Sequence, residues 1–167
     1  EQMWRVREKY PNIMLVSSEM CCGFSAYDKN DWQNDARLYL GELFHDINCG
    51  SDAFVDWNML LDYTGGPSYC KNNVKSPVIL NEKGDDFILS PIYSALKKFV
   101  KLFPVGSRVL RCEFVERGVV AIAREEDEGC AVVVANVTSD EREVAVYCGE
   151  KEKTVTLQAS EIKLVQF

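Results

Sequence analysis

The sequence predicts an α/β segment followed by an all-β segment: a parallel strand–helix–strand unit within residues 1–104, then an antiparallel β-sandwich over residues 105–167. Three observations predict it. The apolar run Ile13-Met14-Leu15-Val16 ends in Ser17-Ser18-Glu19, and a second run, Ala53-Phe54-Val55, ends in Asp56-Trp57-Asn58. Short apolar runs bounded by turn signals read as strands buried on both faces, as in parallel sheets. Between them, apolar residues recur at helical spacing. Beyond Pro104 the texture changes to short strands separated by Gly-rich and charged turns, the pattern of a sandwich.

In chain order, residues 1–10 read as the end of a helix, which Pro11 forbids from continuing. A chain that opens inside a helix is expected to be part of something longer. The first strand covers residues 13–18. Residues 23–31 form a polar loop with Phe24 and Tyr27 inserted, and Asn30 or Asp31 is placed to cap the next helix. Ala36, Tyr39, Leu40, Leu43, Phe44 and Ile47 give that helix one apolar stripe, and Gly50 stops it. Two strands joined through a helix make a parallel unit. Residues 60–84 are a long connection marked by Gly65-Gly66-Pro67, Asn72-Asn73 and Pro77, with a short strand at residues 78–80. Connections of that length usually carry function. Ser90-Pro91 starts a helix, Ile92, Leu96, Phe99 and Phe103 supply its buried face, and Pro104 ends it. Strands are then expected at residues 108–114, 119–123, 131–136, 143–147, 154–157 and 162–167, a number that leaves sheet edges bare. The acidic run 125–128 is expected to be a solvated hairpin tip.

Composition narrows the classes of function. The chain has 167 residues, 47% hydrophobic and 27% charged, enough for one domain or a small domain plus part of another. The formal net charge of -7 argues against nucleic acid, which needs clustered Lys and Arg. No stretch approaches the roughly 18 apolar residues of a membrane span. The seven Cys have irregular spacing and no C-x-x-C, which predicts free, mostly buried thiols in a reducing compartment, hence the cytoplasm. The same spacing argues against zinc at Cys21, Cys22, His45 or Cys49.

The first polar groups after a parallel strand sit at its C-terminal end, where barrels of alternating strands and helices hold their reactive groups. Glu19 is therefore placed as a working carboxylate, although a solvated strand-end Glu fits the same pattern. Trp57 is either core or a flat apolar face for a ligand. Asp56 and Asn58 either touch that ligand or orient Trp57. Trp32 precedes a helix, where it is either a staple or a site residue. His45, beside Asp46 near a helix end, reads as a satisfied side chain and not a base.

Ser18-Glu19, Asp56-Trp57-Asn58, Gly65-Gly66-Pro67, Ser76-Pro77, Lys98-Phe99-Val100 and Pro104-x-Gly106-Ser107-Arg108-Val109 form an ordered series. The series resembles the C-terminal part of glycoside hydrolase family 30, the glucosylceramidase-like enzymes, from residue 13 to the end of the chain. The resemblance implies the last two βα units of a (β/α)8 TIM barrel, strands seven and eight, followed by most of a β-sandwich that the family completes with strands from before the barrel. It implies a retaining β-glycosidase with two carboxyl groups about 5–5.5 Å apart. Glu19 matches the nucleophile, Trp57 matches a residue lining the sugar site, and Asn58, Ser68 and Trp32 are placed as further substrate contacts. The acid/base is a Glu on strand four, which nothing here matches, so the resemblance implies that the 167-residue chain alone is inactive and that barrel strands one to six are its partner. The expected ligand is a carbohydrate, and no metal or organic cofactor is needed. Ser68 stands where the family often has Asn, and Ala95-Leu96-Lys97 where glucosylceramidases tend to have His-Phe-Ser. Ser68 leaves β-1,6-glucan, xylan or fucosides open as substrates, and a non-catalytic carbohydrate-binding module remains the alternative of another class.

Overall fold

In a computed structural model, residues 2–22, 32–69, 73–113 and 116–167 are described. The loop at 23–31, with Phe24, Tyr27 and both cap candidates, lies outside them, as does Cys70. Helix α1 (Gln2–Lys9) leads to strand β1 (Val16–Met20), helix α2 (Trp32–Asn48) and strand β2 (Ala53–Asp56). β1 and β2 pair in parallel, the predicted unit, with Val16 opposite Ala53, Ser17 opposite Phe54 and Met20 opposite Asp56. β1 advances three residues while β2 advances two, so the strand bulges at Ser18-Glu19. A bulge re-aims the side chains it contains.

The expectation that the first strand is buried on both faces fails. Ile13, Met14, Val16 and Glu19 are exposed. The reason is topological: β2 is the one strand paired with β1 among the described residues, so the other edge of β1 is open. The strand also begins later than predicted, because Arg7 of α1 occupies the preceding turn. Its guanidinium donates to Ile13 O (2.8 Å) and Gly50 O (2.8 Å) and pairs with Asp52. Burial raises the Asp52 carboxyl, but the Leu15 N–H and Arg7 outweigh burial and hold it below the usual range. A depressed folded pKa stabilises above the unfolded value and loses that contribution as pH falls through the folded one. Asp52→Asn should therefore be less stable than wild type at pH 6, by a small margin because Asp52 is partly exposed. That gap should close below pH about 4. Urea titrations from pH 6 to 3 measure it, and a gap independent of pH would count against the pairing.

The stripe on α2 is buried as predicted, through Ala36, Tyr39, Leu40, Leu43 and Phe44. The helix stops before Gly50, whose φ of 99° suits a residue without Cβ. The long connection contains more order than the sequence suggests. Strands β3 (Leu60–Leu61) and β4 (Val78–Leu80) lie in it and pair with β5 (Phe87–Leu89) just beyond it as one small sheet, of which the sequence indicates β4 alone. Helix α3 (Pro91–Leu102) starts after Ser90, as expected, but the Ser90 hydroxyl donates to Ser76 O (3.0 Å) and not to its own helix.

The sandwich segment holds β6 (Val109–Leu110), β7 (Val119–Glu126), β8 (Gly129–Asn136), β9 (Arg142–Cys148), β10 (Lys151–Leu157) and β11 (Ile162–Gln166). The first is shorter than the predicted strand at 108–114. Among the described residues, one antiparallel sheet runs β11-β8-β7-β6 and a separate pair joins β9 to β10. Alternation along β7 and β8 sends Val119, Ala121, Val132 and Val134 toward Val144, Val146 and Leu157. The opposite face, with Val120, Ile122, Val133 and Ala135, packs on Leu40, Leu43 and Phe44 of α2 and Phe99 of α3. The Phe44 and Phe99 rings lie 5.3 Å apart. Helices and sandwich thus share one core, and each fully buried Leu, Val or Phe in it contributes about 1.5–3 kcal/mol.

Two further expectations are corrected. Cys130 of β8 and Cys148 of β9 are joined as a disulfide, so these two thiols are not free; Cys21, Cys22, Cys49 and Cys112 are. Irregular spacing does not reveal which β-strands lie face to face. The acidic run is only partly a tip: Glu125 and Glu126 belong to β7 and pair with Arg108 (2.8 Å) and Arg124 (2.7 Å). Asn136, fully buried at the end of β8, ties the sandwich corner. Its amide nitrogen donates to Asp140 O (2.7 Å), Gln158 O (3.1 Å) and Leu157 O (3.2 Å), while its oxygen accepts the Thr138 N–H (2.9 Å) and hydroxyl (2.7 Å).

Candidate active site

The C-terminal ends of β1 and β2 bring Glu19 and Trp57 to the same rim. Trp57 follows β2 directly, and its N–H donates to Met20 O (2.9 Å), the residue after Glu19. Glu19 stands in the bulge, exposed, with no hydrogen-bond or ion-pair partner among the described residues. Trp57 is 53% exposed, too open for a core residue. Cys21 lies within electrostatic reach of both carboxylates of this rim. Its thiol is pushed up by burial first, then by Asp56 and Glu19.

Asp56, placed by the sequence either to touch a ligand or to orient Trp57, is tied to groups beneath the rim whose roles the sequence did not reveal. Asp56 accepts the Tyr39 hydroxyl on Oδ2 (2.6 Å) and the Asn58 N–H on Oδ1 (2.8 Å). Burial raises the Asp56 carboxyl, while these two donors pull the other way. The Tyr39 phenol is pushed far up, by burial first and then by Asp56, so it stays a donor. Asp35 and Lys75 form a buried ion pair that joins α2 to the segment before β4. The Lys75 N–H donates to Cys22 O (3.0 Å), tying that segment to the residues just past β1. Burial, with Asp35 and Asp56 adding to it, pushes the Cys22 thiol up to about 12. Such thiols are poor nucleophiles.

The remaining predicted contacts are spread along the chain. Asn58 is half-buried and its backbone belongs to the Asp56 turn. Trp32 opens α2 instead of preceding it, and lies beside Asp35, Lys75, Ile79 and Ser90. Ser68 is half-buried and follows the cis Gly66-Pro67 bond. That loop is built around Asp62, whose carboxylate accepts Thr64 N–H (2.8 Å), Thr64 Oγ1 (2.7 Å) and Gly66 N–H (2.9 Å). At Gly65, φ is 87° and a Cβ would meet Val74 O at 2.6 Å, so only Gly fits. His45 Nε2 lies 3.7 Å from Cys49 Sγ, away from the rim. Among the described residues, no group of three or more His, Cys, Asp or Glu is placed to hold a metal ion, and no helix is long and apolar enough to cross a membrane.

Comparison with known proteins gives the rim its context. Residues 1–103 match the glycosyl hydrolase family 30 TIM-barrel domain. The chain is 34% identical over 101 residues to putative glucosylceramidase 3 of Caenorhabditis elegans, covering 59% of this chain and 19% of that protein. It is 30% identical over 139 residues to the lysosomal acid glucosylceramidase of Mus musculus, covering 79% of this chain and 27% of that protein. Thus the chain spans about a quarter or less of the length of these relatives. Among solved structures, SrfJ from Salmonella typhimurium superposes with a TM-score of 0.80 at 24% identity, over 95% of this chain and 36% of that one. An endo-β-1,6-glucanase gives 0.70 at 17%, over 96% of this chain and 37% of that one. At such identities the two structures speak to fold alone, and they agree with an α/β portion of a TIM barrel followed by a β-sandwich. The match over residues 1–103, more than half of the sequence, is decisive: this chain belongs to glycosyl hydrolase family 30.

Proposed function

We propose that the chain is the C-terminal portion of a retaining, glucosylceramidase-like β-glycosidase, with Glu19 as nucleophile and Trp57 as the seat of the sugar ring. The observation that supports it most is that a bulge holding Glu19 and the residue Trp57 stand at the C-terminal ends of adjacent parallel strands, the ends where barrel enzymes work. A Glu19 oxygen bonds to the anomeric carbon as the glycosidic C–O bond breaks, and the leaving oxygen takes a proton from the partner acid. Water then attacks the glycosyl-enzyme, giving its proton to that partner and freeing Glu19. No cofactor enters this scheme. The acid/base Glu belongs to strand four, and strands one to six lie along the open edge of β1, covering Ile13, Met14 and Val16. Residues 1–104 then form the barrel portion, and residues 105–167 the sandwich, completed by strands from before the barrel.

Asn58, Ser68 and Trp32 serve as further substrate contacts. A β-glucoside is the first choice of substrate, by likeness to the glucosylceramidases. Ser68 keeps β-1,6-glucan, xylan and fucosides in the test. The cytoplasmic assignment rests on the irregular cysteine spacing and on the thiols of Cys21, Cys22, Cys49 and Cys112, which are free among the described residues.

The test treats the complete protein with 2-fluoro-glycosides, which accumulate the covalent intermediate, and maps the labelled peptide. The label should fall on Glu19, and the 167-residue chain by itself should hydrolyse no aryl β-glycoside. Label on another residue, or turnover by the short chain, would overturn the scheme. Saccharide binding without any label favours the carbohydrate-binding module built on the sandwich, where the Tyr147 ring of β9 is exposed.

A further inference from the structure

We infer that Tyr39 and Asp56 are positioning residues that fix the Trp57 indole from below, without touching the sugar; the inference rests on the reading of Trp57 as the sugar seat. β2 ends at Asp56, so no further strand pairing holds the residue that follows it. Trp57 is held through its backbone N–H to Met20 O, and through the two oxygens of the carboxylate before it. Oδ1 accepts the N–H of Asn58 and closes a turn around Trp57, the Asx pattern by which Asp shapes the backbone two residues on. Oδ2 accepts the hydroxyl of Tyr39.

Tyr39 is itself packed on every side. It lies on α2, almost fully buried, in a cluster with Cys22, Ala36 and Ile92. Its ring meets Phe54 of β2 edge-on, with centroids 5.5 Å apart and planes at 71°. One buried side chain thus fixes both β2, through Phe54, and the turn after it, through Asp56. A core position asks only for an apolar ring. A buried hydroxyl costs free energy unless it is bonded, and here its bond falls on the carboxylate that shapes the Trp57 turn. Fixing a binding group through such supporting bonds is how a site keeps its geometry.

The test uses the complete glycosidase, with Tyr39→Phe, Asp56→Asn, the double variant and Trp57→Ala, each assayed for kcat and KM on an aryl β-glycoside and for thermal unfolding. Tyr39→Phe should raise KM about fivefold with kcat changed less than about twofold, since a seat acts on ground state and transition state alike. The double variant should match Asp56→Asn alone, because Tyr39 acts on the Trp57 turn only through Asp56. Where Tyr39→Phe accumulates poorly, Asp56→Asn carries the same comparison. A purely structural role would lower the unfolding temperature and leave KM where it was, and that result, with KM raised by Trp57→Ala, overturns the inference while sparing the sugar seat. KM unmoved by Trp57→Ala overturns the seat itself, and the inference with it.

Discussion

Lys75→Met should destabilise the protein by about 3–5 kcal/mol, the cost of leaving one member of a buried ion pair without its counter-charge. Asp35 and Lys75 are both withdrawn from water, and the pair bridges α2 and the segment leading into β4. Met fills the space of the Lys stem but offers nothing to the Asp35 carboxylate. The double replacement Asp35→Leu with Lys75→Met removes both charges and should recover most of the loss, since well-packed apolar pairs often equal buried ionic ones. Equilibrium denaturation of the four proteins closes the cycle. A single variant within about 0.5 kcal/mol of wild type would mean that solvent reaches the pair.

Asn136→Ala should cost about 3–4 kcal/mol, because it deprives the Asp140, Leu157 and Gln158 carbonyls of a shared donor and the Thr138 N–H of its acceptor. These groups belong to the turn after β8 and to the end of β10, so the loss should loosen the β9–β10 pair first. Hydrogen exchange should show faster exchange in β9 and β10 than in β7. Uniform protection across both sheets, with unchanged unfolding, would show that other contacts hold the corner.

The sequence made the long periodic elements legible. The α2 stripe repeats over many residues, Ser90-Pro91 marks the start of α3, and the apolar runs at 119–123 and 131–136 mark β7 and β8; all stand in the structure. Leu60-Leu61 and Phe87–Leu89 were not legible, since two or three residues carry no period. At the rim, Glu19 and Trp57 could be nominated because each follows an apolar run. Of their supports, Asp56 alone could, as one of two readings. Tyr39 is one more member of a stripe in the sequence, and Asp35 and Lys75, 40 residues apart, carry no pattern that pairs them. The exposure of β1 also escaped the sequence, because an apolar run states which residues seek cover and not which neighbour supplies it.

The Asn136 corner carries a chemical consequence. Asn136-Val137-Thr138 reads Asn-x-Thr, the acceptor pattern for N-linked glycosylation. The nitrogen that would bear the oligosaccharide is the one already donating to three main-chain oxygens in the interior. Attachment of a glycan and closure of the corner therefore exclude each other, and in any compartment with an oligosaccharyltransferase the order of the two events would decide which molecules reach the native state.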